Sequence, residues 1–580
     1  MSAAPANGGE RVAAVLAAHG VRALFTLCGG HISPVLVAAK ARGIRVVDTR
    51  DEATAVFAAD AIARLTGTPG VAAVTAGPGL TNTITALKNA QLAHSPLVLI
   101  GGAAPTALQG RGALQDIDQR PLVAPHVKFL RRVRRVAELG PALTDAFAAA
   151  RDGVPGPAFV ECPVDLLYDE ASIRQWYAEA GGRGTSIPDR LLRWYLGRHA
   201  DRMFAGAQAP FVARASDVPV PRAETGAVER AAAALAAAER PLVVAGSQSL
   251  AQAGNAAGLA AALGQIGIPV YLSGMARGLL GREHALQMRH ARREALRRSD
   301  CVLLAGVSCD FRLDYGRHIR RSATLIAANR GRREARLNRK PSIEAIGDAG
   351  SFIESLAPWL KERARRPGWI EELRARDDAR EAEIDAGAAR AGEHVNPIAL
   401  FRALERIAAP DAVFVADGGD FVATASYILR PRSPLSWLDP GVFGTLGVGA
   451  GFTLGAALAR PSAEHWLLWG DGASGYGLAE LDSFVRHGIP AIAVVGNDAG
   501  WAQIAREQVK MLHDDVGTVL ARTAYHEVAK GFGAEGIEVR RQAEVEPALQ
   551  RARAIAASGR AVLVNVWLDK TDFREGSISM

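Results

Sequence analysis

Short apolar runs alternate along the chain with longer segments whose apolar residues recur at helical spacing. Between residues 10 and 165 the succession is "IRVVD", "EATAVFAADAIARL", "GVAAVT", "TNTITALKNAQLA" and "PLVLIGG". Strands apolar on both faces that alternate with amphipathic helices call for a parallel sheet covered on both sides. The rhythm returns from about 226 to 360 in "PLVVAG", "IPVYLSG", "CVLLAG" and "ATLIAAN". It returns again from about 393 to 570 in "AVFVADGG", "HWLLWGDG", "IPAIAVVGND" and "AVLVNVW". The pattern predicts an α/β protein of three tandem doubly wound parallel-sheet domains at 1–167, 226–360 and 393–570. Between them lie a connector, 168–225, and a charged linker, 361–392, and a tail occupies 571–580. The first and last domains read as built on one plan, without a visible sequence repeat. A length of 580 residues agrees, since domains of about 100–200 residues make about three.

Composition narrows the classes. Lys and Arg number 68 against 60 Asp and Glu, and the excess is scattered, as at Arg131, Arg132, Arg134 and Arg135. A solvated basic surface fits this better than a nucleic-acid site, because no aromatic-rich basic module accompanies it. The four cysteines, Cys28, Cys162, Cys301 and Cys309, show no paired CxxC spacing, which argues against a disulfide framework or zinc knuckle and for a reducing cytoplasm. "MSAAPANGGE" lacks the pattern of a secretory signal. The uncharged run from Gly441 to Ala459 is too broken by glycine for a membrane span. The helical segment "PDRLLRWYLGRHADRMF" suits packing across a domain or subunit boundary better than docking on a membrane. The expectation is a cytoplasmic protein that binds neither nucleic acid nor membrane.

The chemistry concentrates in "WLLWGDGASGYGLAELDSFVRHGIPAIAVVGNDAGW". One strand ends at Gly470-Asp471-Gly472, a helix follows, and a second strand ends at Asn497, 497 − 471 = 26 residues on. That is one strand-helix-strand unit, so in a parallel sheet both side chains emerge on the same carboxyl edge. A carboxylate, a carboxamide oxygen and a nearby backbone carbonyl make a sparse hard-oxygen site. It suits Mg²⁺, which keeps water and takes further ligands from phosphates, and the glycines let backbone N–H groups approach such phosphates. The plainer alternative is a Gly-Asp-Gly turn with Asn497 capping a helix.

At these residues the chain resembles the thiamine diphosphate-dependent enzymes of the acetolactate synthase and 2-hydroxyacyl-CoA lyase group. The resemblance covers nearly the whole chain, in "GGHISP", "VAAVTAGPGLTNT", "SGMARGLLGR", "WLDPG", "GTLGVGAGF", "VGNDAGW" and "TDFREGSI", and it is closest to the 2-hydroxyacyl-CoA lyase branch. It implies pyrimidine-binding, central and diphosphate-binding domains in that order. Asp471, Asn497 and the Ala499 carbonyl would hold Mg²⁺, and Gly470, Gly472, Ala473, Gly419, Asp420 and Phe421 would line the cofactor diphosphate. Leu446 would bend the cofactor, and the Gly444 carbonyl would accept from its aminopyrimidine. Glu52, in "RDEATAVFAAD", takes the place of the activating glutamate, which shuttles a proton to and from the aminopyrimidine. By itself, a glutamate in a first helical turn needs no function beyond the helix dipole. His31 and Gln115 would flank the thiazolium, with His31 passing a proton to and from a substrate hydroxyl, although a turn residue beside two glycines is its plain reading. Gly29, Gly30, Gly77 and Asn82 fall in the same matching stretches. For Asn82 and for His94, structural roles fit equally well.

The resemblance further implies carbon–carbon cleavage of a 2-hydroxyacyl-CoA into an aldehyde and formyl-CoA, or the reverse condensation. The first rival is a carboligase of the acetolactate synthase or benzaldehyde lyase kind, acting on 2-oxo acids or aldehydes. The second is a silent regulatory subunit, which intact Glu52, Asp471 and Asn497 argue against. In the central domain Gly306, Asp310 and Arg312 border the place where relatives hold ADP or FAD. The surrounding pattern departs from the flavin one, leaving ADP or no nucleotide. The tail "TDFREGSISM" is a candidate lid, and a frayed end is the alternative. In the family the glutamate and the metal site belong to different subunits, implying a homodimer or homotetramer.

Overall fold

The computed structural model describes residues 7–182, 184, 186–361 and 363–574. Its strands form three six-stranded sheets in which every neighbouring pair is parallel. The first comprises β1 (Ala23–Thr26), β2 (Arg45–Asp48), β3 (Gly70–Val74), β4 (Leu97–Ala103), β5 (Phe129–Arg132) and β6 (Pro157–Pro163), ordered 2-1-3-4-6-5. The second comprises β7 (Pro241–Ala245), β8 (Val270–Leu272), β9 (Gln287–Met288), β10 (Cys301–Ala305), β11 (Thr324–Asn329) and β12 (Ile343–Ile346), ordered 12-11-10-7-8-9. The third comprises β13 (Val413–Asp417), β14 (Trp437–Leu438), β15 (His465–Gly470), β16 (Ile492–Asn497), β17 (Glu535–Val539) and β18 (Val562–Trp567), ordered 14-13-15-16-18-17. Renumbered from its own first strand, the third sheet repeats the order of the first. The second, read from its far edge, runs 3-2-1-4-5-6, the order of dinucleotide-binding folds.

The near-continuous apolar runs are explained by this arrangement. Every residue of β3, β4, β6, β7, β10 and β13 is buried, as strands covered by helices on both faces must be. No described helix is long and apolar enough to cross a membrane.

The chain divides into two compact units, Met1–Ala63 with Thr68–Pro219, and Arg64–Gly67 with Val220–Met580. Both connecting segments are more ordered than their composition suggests. The connector forms helices Glu170–Ala180 and Ile187–Met203, and its Ile173, Met203 and Phe204 pack into the core of the first unit. The charged linker carries a 22-residue helix, Pro367–Ala388. Trp369 and Leu373 of that helix enter the central core, Ile384 enters the C-terminal core, and the Trp369 indole N–H donates to Pro241 O at 3.1 Å. A few anchors at wide spacing are too sparse to stand out against so many charges, yet they join two cores. Trp369→Ala should cost about 3–5 kcal/mol in the unfolding of this unit, seen in calorimetry as an earlier transition. An unmoved transition would show that the helix merely spans the gap.

Candidate active site

Two clusters of side chains gather at carboxyl edges of sheets, the positions where open α/β sheets take ligands. The first lies in the first unit, in the turns that follow β1 to β4. Glu52 opens helix Glu52–Thr66 directly after β2 and is 5 % exposed. Its Oε2 accepts from Asn82 Nδ2 at 3.0 Å, so Asn82 orients the carboxyl group. His31, after β1, has Nδ1 at 3.1 Å from Thr75 Oγ1. Burial pushes its imidazole below the ordinary histidine value, leaving the ring uncharged at neutral pH and able to accept a proton. A Cβ on Gly102 would fall 2.6 Å from the His31 Cβ, so the ring holds this place only against glycine.

Gly77 turns the chain after β3 with φ +63° and donates its N–H to Gln119 Oε1 at 3.1 Å. Gln119 Nε2 donates in turn to Gly102 O at 3.0 Å. This buried glutamine, overlooked in the sequence, ties the ends of β3 and β4 and holds Gln115 against Gly77. Gly29 abuts Thr75, and Gly30 is exposed. His94 stands apart, in the turn that enters β4 at the opposite edge, with φ +54°; the structural reading is the one that fits it.

The second cluster lies in the second unit. Gly419, Asp420, Phe421, Gly444, Leu446, Gly470, Asp471, Gly472 and Ala473 all line one cavity of about 300 Å³. Asp471 accepts from its neighbour Gly472 N at 2.8 Å and from Gly500 N at 3.1 Å. Asn497 donates from Nδ2 to Thr523 O at 3.1 Å and to Asn565 Oδ1 at 3.2 Å. These two bonds fix the orientation of the amide and leave Oδ1 buried with no hydrogen-bond partner, a cost few buried polar groups bear without a ligand. The Ala499 carbonyl, at φ +57°, already accepts from Leu520 N at 2.9 Å and keeps its second lone pair. Asp498 is pushed up to about 7, first by burial and then by the charge of Asp471; burial raises Asp471 as well. An orphaned amide oxygen beside two crowded carboxyl groups is a donor set that a hard divalent cation satisfies.

Sequence reading passed over Asp498, Trp501, Gln503 and Asp417. Trp501 packs on Gly472, where a Cβ would lie 2.6 Å from its ring. The amphipathic helix Ala502–Leu512 follows, contributes Ala502, Gln503 and Ile504 to the cavity wall, and buries none of its residues. Asp420 pairs with Arg506 of that helix. Asp417, at the end of β13, accepts from Gly449 N at 2.8 Å, Gly447 N at 3.1 Å and the Trp469 indole at 3.2 Å. Burial pushes it up to about 6 against these three bonds. It anchors the Gly444–Gly449 loop, and its place immediately before two glycines at a strand end was the available signal.

In the central domain Gly306, at φ +64°, is packed on Gln248 and Ser249. Arg312 pairs with Asp310 at 2.6 Å and lines a larger cavity, of about 600 Å³.

Both clusters lie within segments that family models match. The chain matches the models "Thiamine pyrophosphate enzyme, N-terminal TPP binding domain" over residues 6–122, "central domain" over 228–356 and "C-terminal TPP binding domain" over 417–566. It is 50% identical over 586 residues to 2-hydroxyacyl-CoA lyase 2 of Bos taurus, covering 100% of this chain and 93% of that protein. Against the Homo sapiens protein of the same name the identity is 51% over 581 residues, with 99% and 92% covered. A probable acetolactate synthase of Mycobacterium bovis is 35% identical over 571 residues, with 97% and 96% covered.

Two outcomes follow from the geometry. Asp417→Asn replaces an acceptor with an amide whose N–H₂ faces other donors, and should weaken cofactor retention about tenfold or more, at about 1–3 kcal/mol for an unsatisfied buried group; equilibrium dialysis reads this directly. His31, followed by proton NMR against pH, should titrate below the ordinary histidine midpoint because burial disfavours its charged form. A midpoint at or above that value would remove it as a neutral proton acceptor at pH 7.

Proposed function

The chain belongs to the thiamine pyrophosphate enzyme family, a lyase by its relatives, and from that premise we propose that it cleaves 2-hydroxyacyl-CoA into an aldehyde and formyl-CoA. The observation that carries the proposal is full-length identity of about 50% to proteins named 2-hydroxyacyl-CoA lyase 2, on a chain whose Glu52, His31, Asp471 and Asn497 fold into sheet-edge clusters. Thiamine diphosphate, when bound, supplies the carbon nucleophile and electron sink that such bond breaking needs. Gly419, Gly470, Gly472 and Ala473 would receive its diphosphate. Mg²⁺ would be held by Asp471 and Asn497 Oδ1, with the free lone pair of Ala499 O as a third protein ligand. Gly444 and Leu446 would receive the ring system.

Glu52, positioned by Asn82, holds a proton for the aminopyrimidine. His31 takes the proton of the substrate hydroxyl as the carbon–carbon bond breaks, and with Gln115 would flank the thiazolium. Leu446, Phe421 and Trp501 give an apolar wall to the cavity that would receive the cofactor. In the reverse direction the same residues return the proton to the new hydroxyl. The domain limits 1–167, 226–360 and 393–570 are those this reading adopts. Active sites at interfaces between copies, in a dimer or tetramer, belong to it as well. The four unpaired thiols fit a reducing cytoplasm. A phosphate-bearing adenine nucleotide, ADP rather than FAD, is the ligand assigned to the central domain, on its 3-2-1-4-5-6 strand order and its arginine-lined cavity. A second reading, carboligation of 2-oxo acids, is favoured by the 35% identity to an acetolactate synthase.

Mass spectrometry of the protein with thiamine diphosphate, Mg²⁺ and a 2-hydroxyacyl-CoA should detect formyl-CoA and the shortened aldehyde. With cofactor bound but neither product formed, the carboligase reading would take its place. Glu52→Gln should lower turnover by about 10²–10⁴ while leaving the melting temperature in place; undiminished turnover would refute the role given to Glu52.

A further inference from the structure

β18 is a buried strand of the third sheet with one residue out of character. In "VLVNVW" the neighbours are valine, leucine and tryptophan, and Asn565 lies among them with no exposure at all. Asparagine is a poor strand former, and a carboxamide in an apolar layer is costly unless its polar atoms find partners. β18 pairs with β16 in parallel register, Val495 against Asn565 and Asn497 against Trp567. The tail follows β18 and its described part ends at Arg574; residues 575–580 of the candidate lid lie outside the described residues.

The partners of Asn565 lead to Asn497. Asn565 Oδ1 accepts from Asn497 Nδ2 at 3.2 Å, while its own Nδ2 donates to Thr523 O at 3.1 Å and has His526 Nδ1 at 3.4 Å. Asn497 Nδ2 donates to the same Thr523 O at 3.1 Å. Two amides therefore share one carbonyl and are joined to each other. Turning Asn497 over would set its Oδ1 against Asn565 Oδ1 and Thr523 O, acceptor against acceptor at both. Turning Asn565 over would set one N–H₂ group against the other and its oxygen against Thr523 O. Turning both would restore the bond between them but point two oxygens at Thr523 O. Of the four arrangements only one keeps all three bonds. It is the one that leaves Asn497 Oδ1 outside the network, buried and without a partner.

The shared carbonyl is held in place by its own segment. Thr523 O also accepts from Tyr525 N at 3.0 Å. On one side of it Arg522 Nη1 donates to Asn497 O at 2.7 Å and Nη2 to Leu568 O at 3.1 Å. On the other, the Tyr525 hydroxyl donates to Asp471 O at 3.3 Å. Residues 522–526 thus brace the backbone of Asp471 and of Asn497, and Thr523 O is a fixed point against which both amides are set.

We propose that Asn565 is a positioning residue for the cation site: it sets the Asn497 amide so that Oδ1, and not the N–H₂ group, meets the divalent cation. The proposal rests on the Mg²⁺ reading above. A carboxamide binds a hard cation by its oxygen alone, and the two ends of the group are told apart only by the neighbours they face. With Asn565 in place the donor is aimed before the ion arrives, and no affinity is lost to turning the amide.

The full chain with thiamine diphosphate would be titrated with Mn²⁺, the free ion being followed by electron paramagnetic resonance, which reads metal binding without turnover. Asn565→Leu puts a side chain of similar size into the apolar layer and leaves the Asn497 amide held by Thr523 O alone. Mn²⁺ affinity should fall about tenfold, as for one hydrogen bond lost at a buried site. The same substitution would then be made together with Asn497→Asp. A carboxylate offers an oxygen whichever way it faces, so in that background Asn565→Leu should change Mn²⁺ affinity by less than about twofold. A residue that merely supports the fold would lower affinity equally in both backgrounds. Asn565→Ala, read through the same cycle, serves if the leucine variant does not fold. Unchanged Mn²⁺ affinity in the single variants overturns the proposal, as does an equal fall in both backgrounds. Wild-type protein that takes up thiamine diphosphate but no Mn²⁺ overturns the metal reading instead.

Discussion

Register between β15 and β16 is the constraint on which the cluster of Asp471 and Asn497 depends. Parallel pairing sets Trp469 against Val495 and Gly470 against Gly496, so both strands run out at one level and release Asp471 and Asn497 side by side. The strands themselves are anonymous apolar segments buried on both faces. A slip of one residue would reverse which side chains face each layer, and would part Asp471 from Asn497. The large fully buried side chains of this region, Trp466, Trp469 and Phe452, therefore secure the chemistry without touching it.

The same economy recurs at each edge. In the first sheet, reactive groups follow β1 and β2 while Thr75, Gly102 and Gln119 from neighbouring turns hold them. In the third, Asp417 leaves β13 and holds the loop that carries Gly444 and Leu446. The first and third sheets share one strand order, so one architectural solution serves both segments matched as TPP binding domains. The central sheet has another order and carries a differently charged edge.

Much of this was legible beforehand. Apolar runs bounded by glycine located the strands, and GDG with Asn one unit later located the sheet-edge cluster of Asp471 and Asn497, because contiguous residues at strand ends carry it. What escaped notice depends on distance in the chain. Gln119 acts on Gly77 and Gly102, and nothing in its local sequence marks it. Trp369 sits in a segment that composition describes as a charged tether, and the helices of the connector likewise join a core through a few isolated apolar residues. Arg292 was hidden for another reason. In a chain with so many arginines, only its burial and the lack of an ion-paired carboxylate among the described residues set it apart.

Helix Ala502–Leu512 walls the cofactor cavity yet buries none of its own residues, while the sheet beneath it is among the most deeply buried parts of the molecule. Free energy for opening such an element is a small fraction of that for global unfolding. Hydrogen exchange at its amides is therefore expected to proceed through a local excursion that leaves β15 and β16 intact. Traffic of cofactor and substrate can run on the timescale of this one element, so that a rigid catalytic floor and a fast-exchanging wall coexist within a single domain.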